Sequence, residues 1–313
     1  MGNDNPLVSI CCLAYNHAPY IRQCLDGFVM QKTNFPFEVL IHDDASTDRT
    51  ADIIRGYEAK YPDIIKPIYQ SENQHKKGTG ILQNIVFPIT KGKYIALCEG
   101  DDYWTDSCKL QKQVDFMEAN PEYSMCFHFA DVVYENGKKT DYILYEDLEE
   151  REYTANEIVE NWIVPTASVL FQTKFSKNIK WDQRFTAGDI VLFLSMAQCG
   201  KIFCLGDKMS IYRRLDSGVT LSRKREIDSM VKRINHLEAI KEHFPNIDEK
   251  IVNEYIVSPY VALFFKYLAR LNYKCLGCIY KGMILNPALF IKIFLIKLKF
   301  AMKNQVVKIR HRQ

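Results

Sequence analysis

The chain has 313 residues, 47% apolar and 25% charged, with 14 Gly and 11 Pro. These values are ordinary for a globular protein and exclude a disordered, collagen-like or small disulfide-stapled chain. The net charge of +3 is unevenly placed: the last 59 residues hold eleven Lys and Arg and no acid, which leaves −8 on the first 254. An acidic body with a basic, apolar tail points to an anionic membrane surface and away from nucleic acid, which calls for a basic main domain.

Over the first ~130 residues, apolar runs of strand length alternate with helix-period segments, the pattern of an α/β protein with a mostly parallel sheet. Strands are expected over 7–14, 37–41, 64–69, 94–98 and 124–133. Helices are expected over 20–31, 48–61, 80–90 and 109–119. Residues 136–153 are charged and Tyr-rich and read as a loop or lid. A short helix (154–162), a strand (167–171), an apolar helix (190–199) and a broken β segment (202–212) follow. From Ser222 onward the pattern is helical, interrupted by Pro245, Pro259 and Pro287. A domain of residues 1–221 with a helical region of 222–313 is the expected organisation.

Cys11, Cys12, Cys98, Cys126 and Cys204 lie inside apolar runs, where Cys is a small core side chain, so a reducing, cytoplasmic compartment is expected. The first residues, Met1 to Pro6, carry no positive n-region of an export signal, and Pro6 stands where myristoylation wants Ser or Thr.

Open α/β sheets bind ligands beyond the carboxyl ends of their strands. The first expected strand ends in Tyr15-Asn16, the second in Asp43-Asp44, and the fourth in Glu99-Gly100-Asp101-Asp102. Asp43 alone reads as a local helix or turn cap. Three carboxylates within four residues, directly after an apolar strand, call for a cation. Hard oxygen ligands select Mg²⁺ or Mn²⁺, whose shell a substrate diphosphate completes. Neither G-x-G-x-x-G after the first strand nor G-x-x-x-x-G-K-[ST] is present, which removes the main support for dinucleotide and P-loop readings.

Three blocks, residues 6–16, 38–50 and 92–104, resemble in order and spacing the family 2 glycosyltransferases, which have the GT-A fold. The resemblance continues through Pro165–Ser168, Ala187-Gly188-Asp189 and Tyr212-Arg213, covering roughly residues 5–220. It implies that Tyr15 stacks on a nucleotide base and that Asp44 accepts a hydrogen bond from it. Asp101 and Asp102 would serve the metal and the ribose-diphosphate, and Asp189 would be the catalytic base. From the residues alone, Asp189 is the N-cap of the helix starting at Ile190, a role compatible with the other. The implied reaction is inverting: an acceptor hydroxyl displaces a nucleoside diphosphate from the sugar of a nucleotide-sugar donor, UDP-linked by resemblance.

The sequence departs from the family where many members carry a His after the Tyr-Arg pair. Here the run is Tyr212-Arg213-Arg214-Leu215, so either arginine contacts the diphosphate or the two form a solvated surface pair. Processive relatives carry Q-x-x-R-W and membrane spans; neither occurs, so single-sugar addition is expected.

Lys76-Lys77-Gly78 reads as a solvated loop or a phosphate clamp. His42 and His128 read as satisfied core histidines, and Cys275-x-x-Cys278 lacks the second pair a zinc site needs. In residues 289–302, Lys292 and Lys299 share a helix face with Lys303, an amphipathic stripe suited either to lying in the headgroup plane at the inner face of the plasma membrane or to docking on the body with the lysines outward. The acceptor is then a glycan or a lipid-linked glycan. Two alternatives are a sugar-phosphate nucleotidyltransferase and a non-catalytic nucleotide-sugar or membrane-binding module. The former wants a Gly-rich, Arg-containing loop that Ala14-Tyr15-Asn16-His17 does not supply.

Overall fold

The computed structural model describes residues 5–78, 80–135, 145, 147–215 and 227–310, the last eleven as helix backbone only. Contacts divide the chain into two compact units, Met1–Ile179 with Leu192–Gly218, and Lys180–Val191 with Val219–Gln313. The boundary expected at 221/222 and most of the expected lid, 136–144 and 146, lie outside the described residues.

The first unit is a nine-stranded mixed sheet with helices. Its N-terminal half is parallel: β1 (Val8–Ala14), β2 (Phe37–Asp43), β3 (Ile65–Tyr69) and β4 (Tyr94–Leu97). The order continues through β8 (Leu170–Gln172), β6 (Tyr123–Tyr134), β9 (Lys201–Arg214) and β5 (Tyr103–Trp104), with β7 (Arg151–Tyr153) pairing β9. β8 is antiparallel to β4 and β6, whereas β6 and β9 run parallel. The inner strands are buried on both faces because both are covered, and their sequences are accordingly continuous apolar runs.

The crossovers are α1 (Ile21–Val29), α2 (Thr50–Lys60), α3 (Gln74–Lys77) and α4 (Lys109–Ala119), followed by α5 (Ala155–Asn161) and α6 (Gly188–Cys199). α5 starts at a capping box in which the Thr154 and Glu157 side chains reciprocally satisfy each other's backbone N–H. The helix expected over 80–90 is instead a π-helical turn, Leu82–Val86, leading into a 3₁₀ turn, Phe87–Ile89. Pro88 has no N–H for an α-helical ladder, which breaks the run. The strand expected over 167–171 starts later, because Thr166–Ser168 forms a 3₁₀ turn.

Trp104 anchors the core. It packs edge-on against Phe28 with centroids 4.8 Å apart and donates from Nε1 to Ala167 O at 2.8 Å. The Lys109 ammonium lies 3.9 Å over its ring and bonds Gln113 Oε1 at 2.6 Å.

The second unit is helical: α7 (Ile227–His243), α8 (Glu249–Leu268), α9 (Lys274–Leu285) and α10 (Pro287–Arg310). Val257 and Val261 of α8 and Phe290 of α10 are its buried centre, with Phe265, Ile279 and Phe294 packed around them. Segment 180–191 joins it through Arg184, whose guanidinium pairs with Asp182 at 2.7 Å and Glu242 at 2.5 Å. Among the described residues no helix is long and apolar enough to cross a membrane.

Candidate functional site

Strand register sets the rim of the first unit. Ala14 at the end of β1 lies beside Asp43 at the end of β2, and the Asp44 N–H donates to Ala14 O at 2.9 Å. β4 stops level with Cys11, and its extension passes close to β1, with Gly100 N donating to Leu13 O at 2.9 Å. A Cβ on residue 100 would stand 2.8 Å from His17 Nδ1 and 2.9 Å from Ile21 Cδ1, so any larger residue makes those side chains shift. The strand ends carrying Tyr15, Asp43-Asp44 and Asp101-Asp102 are thereby brought to one rim.

The loops after β1 and β2 are sewn together. Asn16 adopts a left-handed conformation, φ 55°, and its Oδ1 accepts from Thr47 N at 2.8 Å. Asn16 N donates to Ser46 Oγ at 2.9 Å, and His17 N to Thr50 Oγ1 at 2.8 Å. Ala45 is also left-handed, φ 58°, where a Cβ is disfavoured. Tyr15 stands 36% exposed at this edge.

Asp44 is buried, and its two carboxylate oxygens accept N–H bonds from Gln74 at 2.6 Å and His75 at 3.1 Å, fixing the start of α3. Lys76 and Lys77 therefore sit on a short capped helix, with Lys77 paired to Glu72.

The acidic loop is held from β9. Arg213 N donates to Asp102 Oδ1 at 2.7 Å, and Arg213 Nε to Asp101 O at 2.8 Å. The guanidinium lies 4.9 Å from the Tyr20 ring and 5.1 Å from the Tyr103 ring, and its Nη2 bonds Gln23 Oε1 at 2.9 Å. Arg213 is thus no member of a solvated surface pair; it clamps the Asp101-Asp102 loop.

Asp102 is 3% exposed; burial first, then the charge of Asp101, pushes its carboxyl well above the usual range, with the Arg213 N–H opposing. Oδ1 of Asp101 is buried and has no hydrogen-bond partner among the described residues; the same holds for Asp43 Oδ1 and His17 Nδ1. Burial lowers the His17 pKa, against the pull of Asp101, Asp48 and Asp43. An unpaired buried carboxylate oxygen is costly, and a cation relieves it. Among the described residues no group of three or more His, Cys, Asp and Glu is assembled to hold a metal.

Several of these participants lie outside the sequence reading. His17, Tyr20, Gln23 and Tyr103 had no assigned role; the one available signal was that Tyr103 directly follows the acidic pair. Asp43 does form the expected local bond, accepting from Ser46 N at 3.3 Å, but its other oxygen is unpaired. His42 is buried as expected yet not satisfied, since neither ring nitrogen has a partner among the described residues; His128 bonds Phe129 O at 2.8 Å through Nδ1 only.

Asp189 belongs to the second unit. It lies in the first turn of α6, which starts at Gly188, so it is not the cap expected before Ile190; its Oδ1 accepts from Ile190 N at 2.9 Å.

A sheet with parallel strands whose carboxyl ends deliver an aromatic ring and clustered carboxylates has the frame on which α/β proteins place a ligand site. Residues 9–194 match the family model "Glycosyl transferase family 2", and the chain belongs to that family. It is 38% identical over 215 residues to an uncharacterized protein of Mycobacterium tuberculosis, a match covering 68% of this chain and 60% of that relative's length. It is 26% identical over 226 residues to the putative teichuronic acid biosynthesis glycosyltransferase TuaG of Bacillus subtilis, covering 71% of this chain and 85% of TuaG. Among solved structures, S. aureus TarS 1-349 in complex with UDP superposes with a TM-score of 0.59 at 17% identity, covering 91% of this chain and 82% of that one. The mannosyltransferase PcManGT from Pyrobaculum calidifontis, in complex with GDP-Man and Mn²⁺, gives 0.56 at 17% identity, covering 96% and 87%. These superpositions establish the GT-A fold.

Proposed function

We propose that this chain is an inverting glycosyltransferase that moves a single sugar from a UDP-linked donor to a glycan or lipid-linked acceptor in cell-surface polysaccharide synthesis. The observation that carries this reading is the buried, unpartnered oxygen of Asp101 beside the buried Asp102 at the end of β4. Relatives support it: the putative teichuronic acid biosynthesis glycosyltransferase TuaG, and an E. coli β-1,3-glucosyltransferase, WfaP, acting from UDP-Glc on a diphosphoundecaprenol-linked sugar, 38% identical over 112 residues. TarS, solved with UDP and with UDP-GlcNAc, shares the fold and supports a nucleotide-sugar donor; WfaP, which acts from UDP-Glc, supports UDP as its nucleotide.

Asp101 and Asp102 fit Mn²⁺ or Mg²⁺, which takes one or two carboxylates and fills its shell with phosphate oxygens. When bound, the ion supplies Lewis-acid neutralisation of the charge gathering on the leaving diphosphate. The chain's own residues do the rest. Tyr15 offers its ring to the base, and Asp44, held rigid by the N–H groups of α3, offers remaining lone pairs to the base's N–H. Arg213 positions the acidic loop. Asp189 accepts the proton of the attacking acceptor hydroxyl as general base. The basic helices of the second unit hold the enzyme peripherally at an anionic membrane, where a lipid-linked acceptor resides.

The test is thermal unfolding of the full chain with UDP- and GDP-sugars, with and without Mn²⁺. A ligand at about 100 times its Kd stabilises by about 2.7 kcal/mol. UDP-sugars should raise the midpoint in the presence of Mn²⁺. A midpoint unmoved by every nucleotide overturns the reading.

A further inference from the structure

The second unit carries an apolar surface that folding leaves uncovered. Tyr273, at the N-cap of α9, and Leu276, Tyr280 and Ile284 along it are each between 63% and 79% exposed. At 100° per residue these four fall within about 80° of one another, a single stripe. The opposite face of α9 does the packing: Cys278 and Gly282 are buried, and a Cβ on Gly282 would stand 2.2 Å from Phe290 Cδ2. An amphipathic helix normally turns its polar side outward. This one is apolar on both sides.

A cavity of about 490 Å³ opens beside the stripe, between α7, α8 and α9. Ile234, Leu263, Leu276 and Cys278 line it, and Lys274 and Lys281 stand on its α9 side. Leu276 belongs to both stripe and cavity, so the apolar surface runs from one into the other. The volume lies in the range of small-molecule sites, which are largely apolar with few polar groups. Here the charged lining residues are both cations.

Charge selects the occupant. From residue 255 to the end there are eleven Lys and Arg and no Asp or Glu. The exposed apolar side chains continue on α10 with Ile291, Leu295 and Ile296, interleaved with Lys292 and Lys297. Nucleic acid would meet the cations but leave the stripe in water. An anionic bilayer meets both, taking apolar groups below the headgroups and cations at the phosphates. Tyr273 and Tyr280 suit that boundary, with an apolar ring and a polar tip. With no described helix able to span, the contact is made in the plane of the interface.

We infer that the outer face of α9 seats on an anionic bilayer and that the adjoining cavity receives a hydrocarbon chain of a phosphate-bearing membrane lipid, with Lys274 and Lys281 at its phosphate. This rests on the membrane reading above and deepens it. General attraction by the basic tail needs neither the stripe nor the cavity, whereas this inference needs both.

The experiment is co-sedimentation of the full-length chain with phosphatidylglycerol–phosphatidylcholine vesicles and with phosphatidylcholine alone. Three variants accompany it. Leu276→Ser with Tyr280→Ser strips the stripe. Gly277→Leu narrows the cavity that Gly277 lines; a Cβ there meets nothing within 4 Å, and leucine is the better helix former, so the fold accepts it. Leu276→Trp reports depth by quenching from brominated acyl chains. Wild type should bind the anionic vesicles, the double variant should lose about tenfold or more, and Gly277→Leu should lose severalfold. The Leu276→Trp signal should be quenched beyond that of the native tryptophans. UDP-sugar affinity should be unchanged in all three. Variants that bind like wild type, or an indole that brominated lipid does not quench, overturn the inference and leave the membrane reading standing. Absence of wild-type binding to anionic vesicles overturns both. Loss of nucleotide binding bears on the transferase reading instead.

Discussion

In the first unit, polar groups are buried at strand ends and left with lone pairs to give: Asp101, Asp43 and His17 each carry a buried atom without a partner among the described residues. In the second unit the imbalance is reversed, with Leu276, Tyr280 and Ile284 standing in water. Both conditions cost free energy in the isolated chain, desolvation in one case and hydration of apolar area in the other. On the reading proposed above, each is relieved by a different kind of partner, a divalent cation with its nucleotide-sugar at the sheet and a lipid surface at the helices. A surface left unsatisfied by its own fold is therefore informative about its ligand, and the sign of the imbalance tells polar from apolar.

The sharpest way to divide the labour is to change one carboxylate in each unit. Asp189→Asn should reduce turnover by about 10²–10⁴ while nucleotide affinity stays at the wild-type value, as read by sugar-transfer rate and calorimetry. Asp101→Asn should reduce turnover by about 10²–10³ and also abolish the Mn²⁺-dependent part of nucleotide binding. If Asp189→Asn weakened donor binding as much as turnover, its assignment as base would fail.

A smaller effect concerns stability of the first unit alone. Lys109 is fully buried, and burial pushes its pKa from 10.5 down to about 7, with Cys98 and Cys126 opposing; His128 also lies within its field. Between those two values the unfolded chain binds a proton that the native chain does not, so stability rises with pH from about 7 to about 10. Below that window the full cost of the buried ammonium is present. Lys109→Met should flatten the rise, measured by urea unfolding at a series of pH values; an unchanged slope would show that another group causes it.

The least effect is expected at Ala45. Its left-handed backbone disfavours a Cβ, and Ala45→Gly should stabilise the chain by up to about 1 kcal/mol after the added entropy of the unfolded glycine is counted. A loss of stability in urea would mean that the loop between β2 and α2 is not strained there.

Much of the first unit was legible because its signals are local. The apolar runs of β1, β2 and β4 and the acids following them are contiguous in sequence, so the strand ends carrying Tyr15, Asp44, Asp101 and Asp102 followed from order alone. The clamp was not legible, since Arg213 reaches Tyr20, Gln23 and Tyr103 from more than 100 residues away and only sheet pairing brings them together. The same holds for β5, two residues long and defined solely by its partner β9. The turn at 82–89 hid behind a helical apolar period that Pro88 interrupts. The grouping of residues 180–191 with the second unit depends on Arg184 meeting Glu242 and Phe185 meeting His236 and Phe244, which no periodicity announces.

The bond that Asp102 receives comes from the peptide nitrogen of residue 213. Nineteen of the twenty amino acids carry that hydrogen, and only proline lacks it. Mutational drift at this position can thus erase the guanidinium clamp and still leave the carboxylate's tether intact. The tether of Asp102 is inherited from the pairing of β9 and β5, a property of the backbone, whereas the hold on Asp101 goes with the Arg213 side chain.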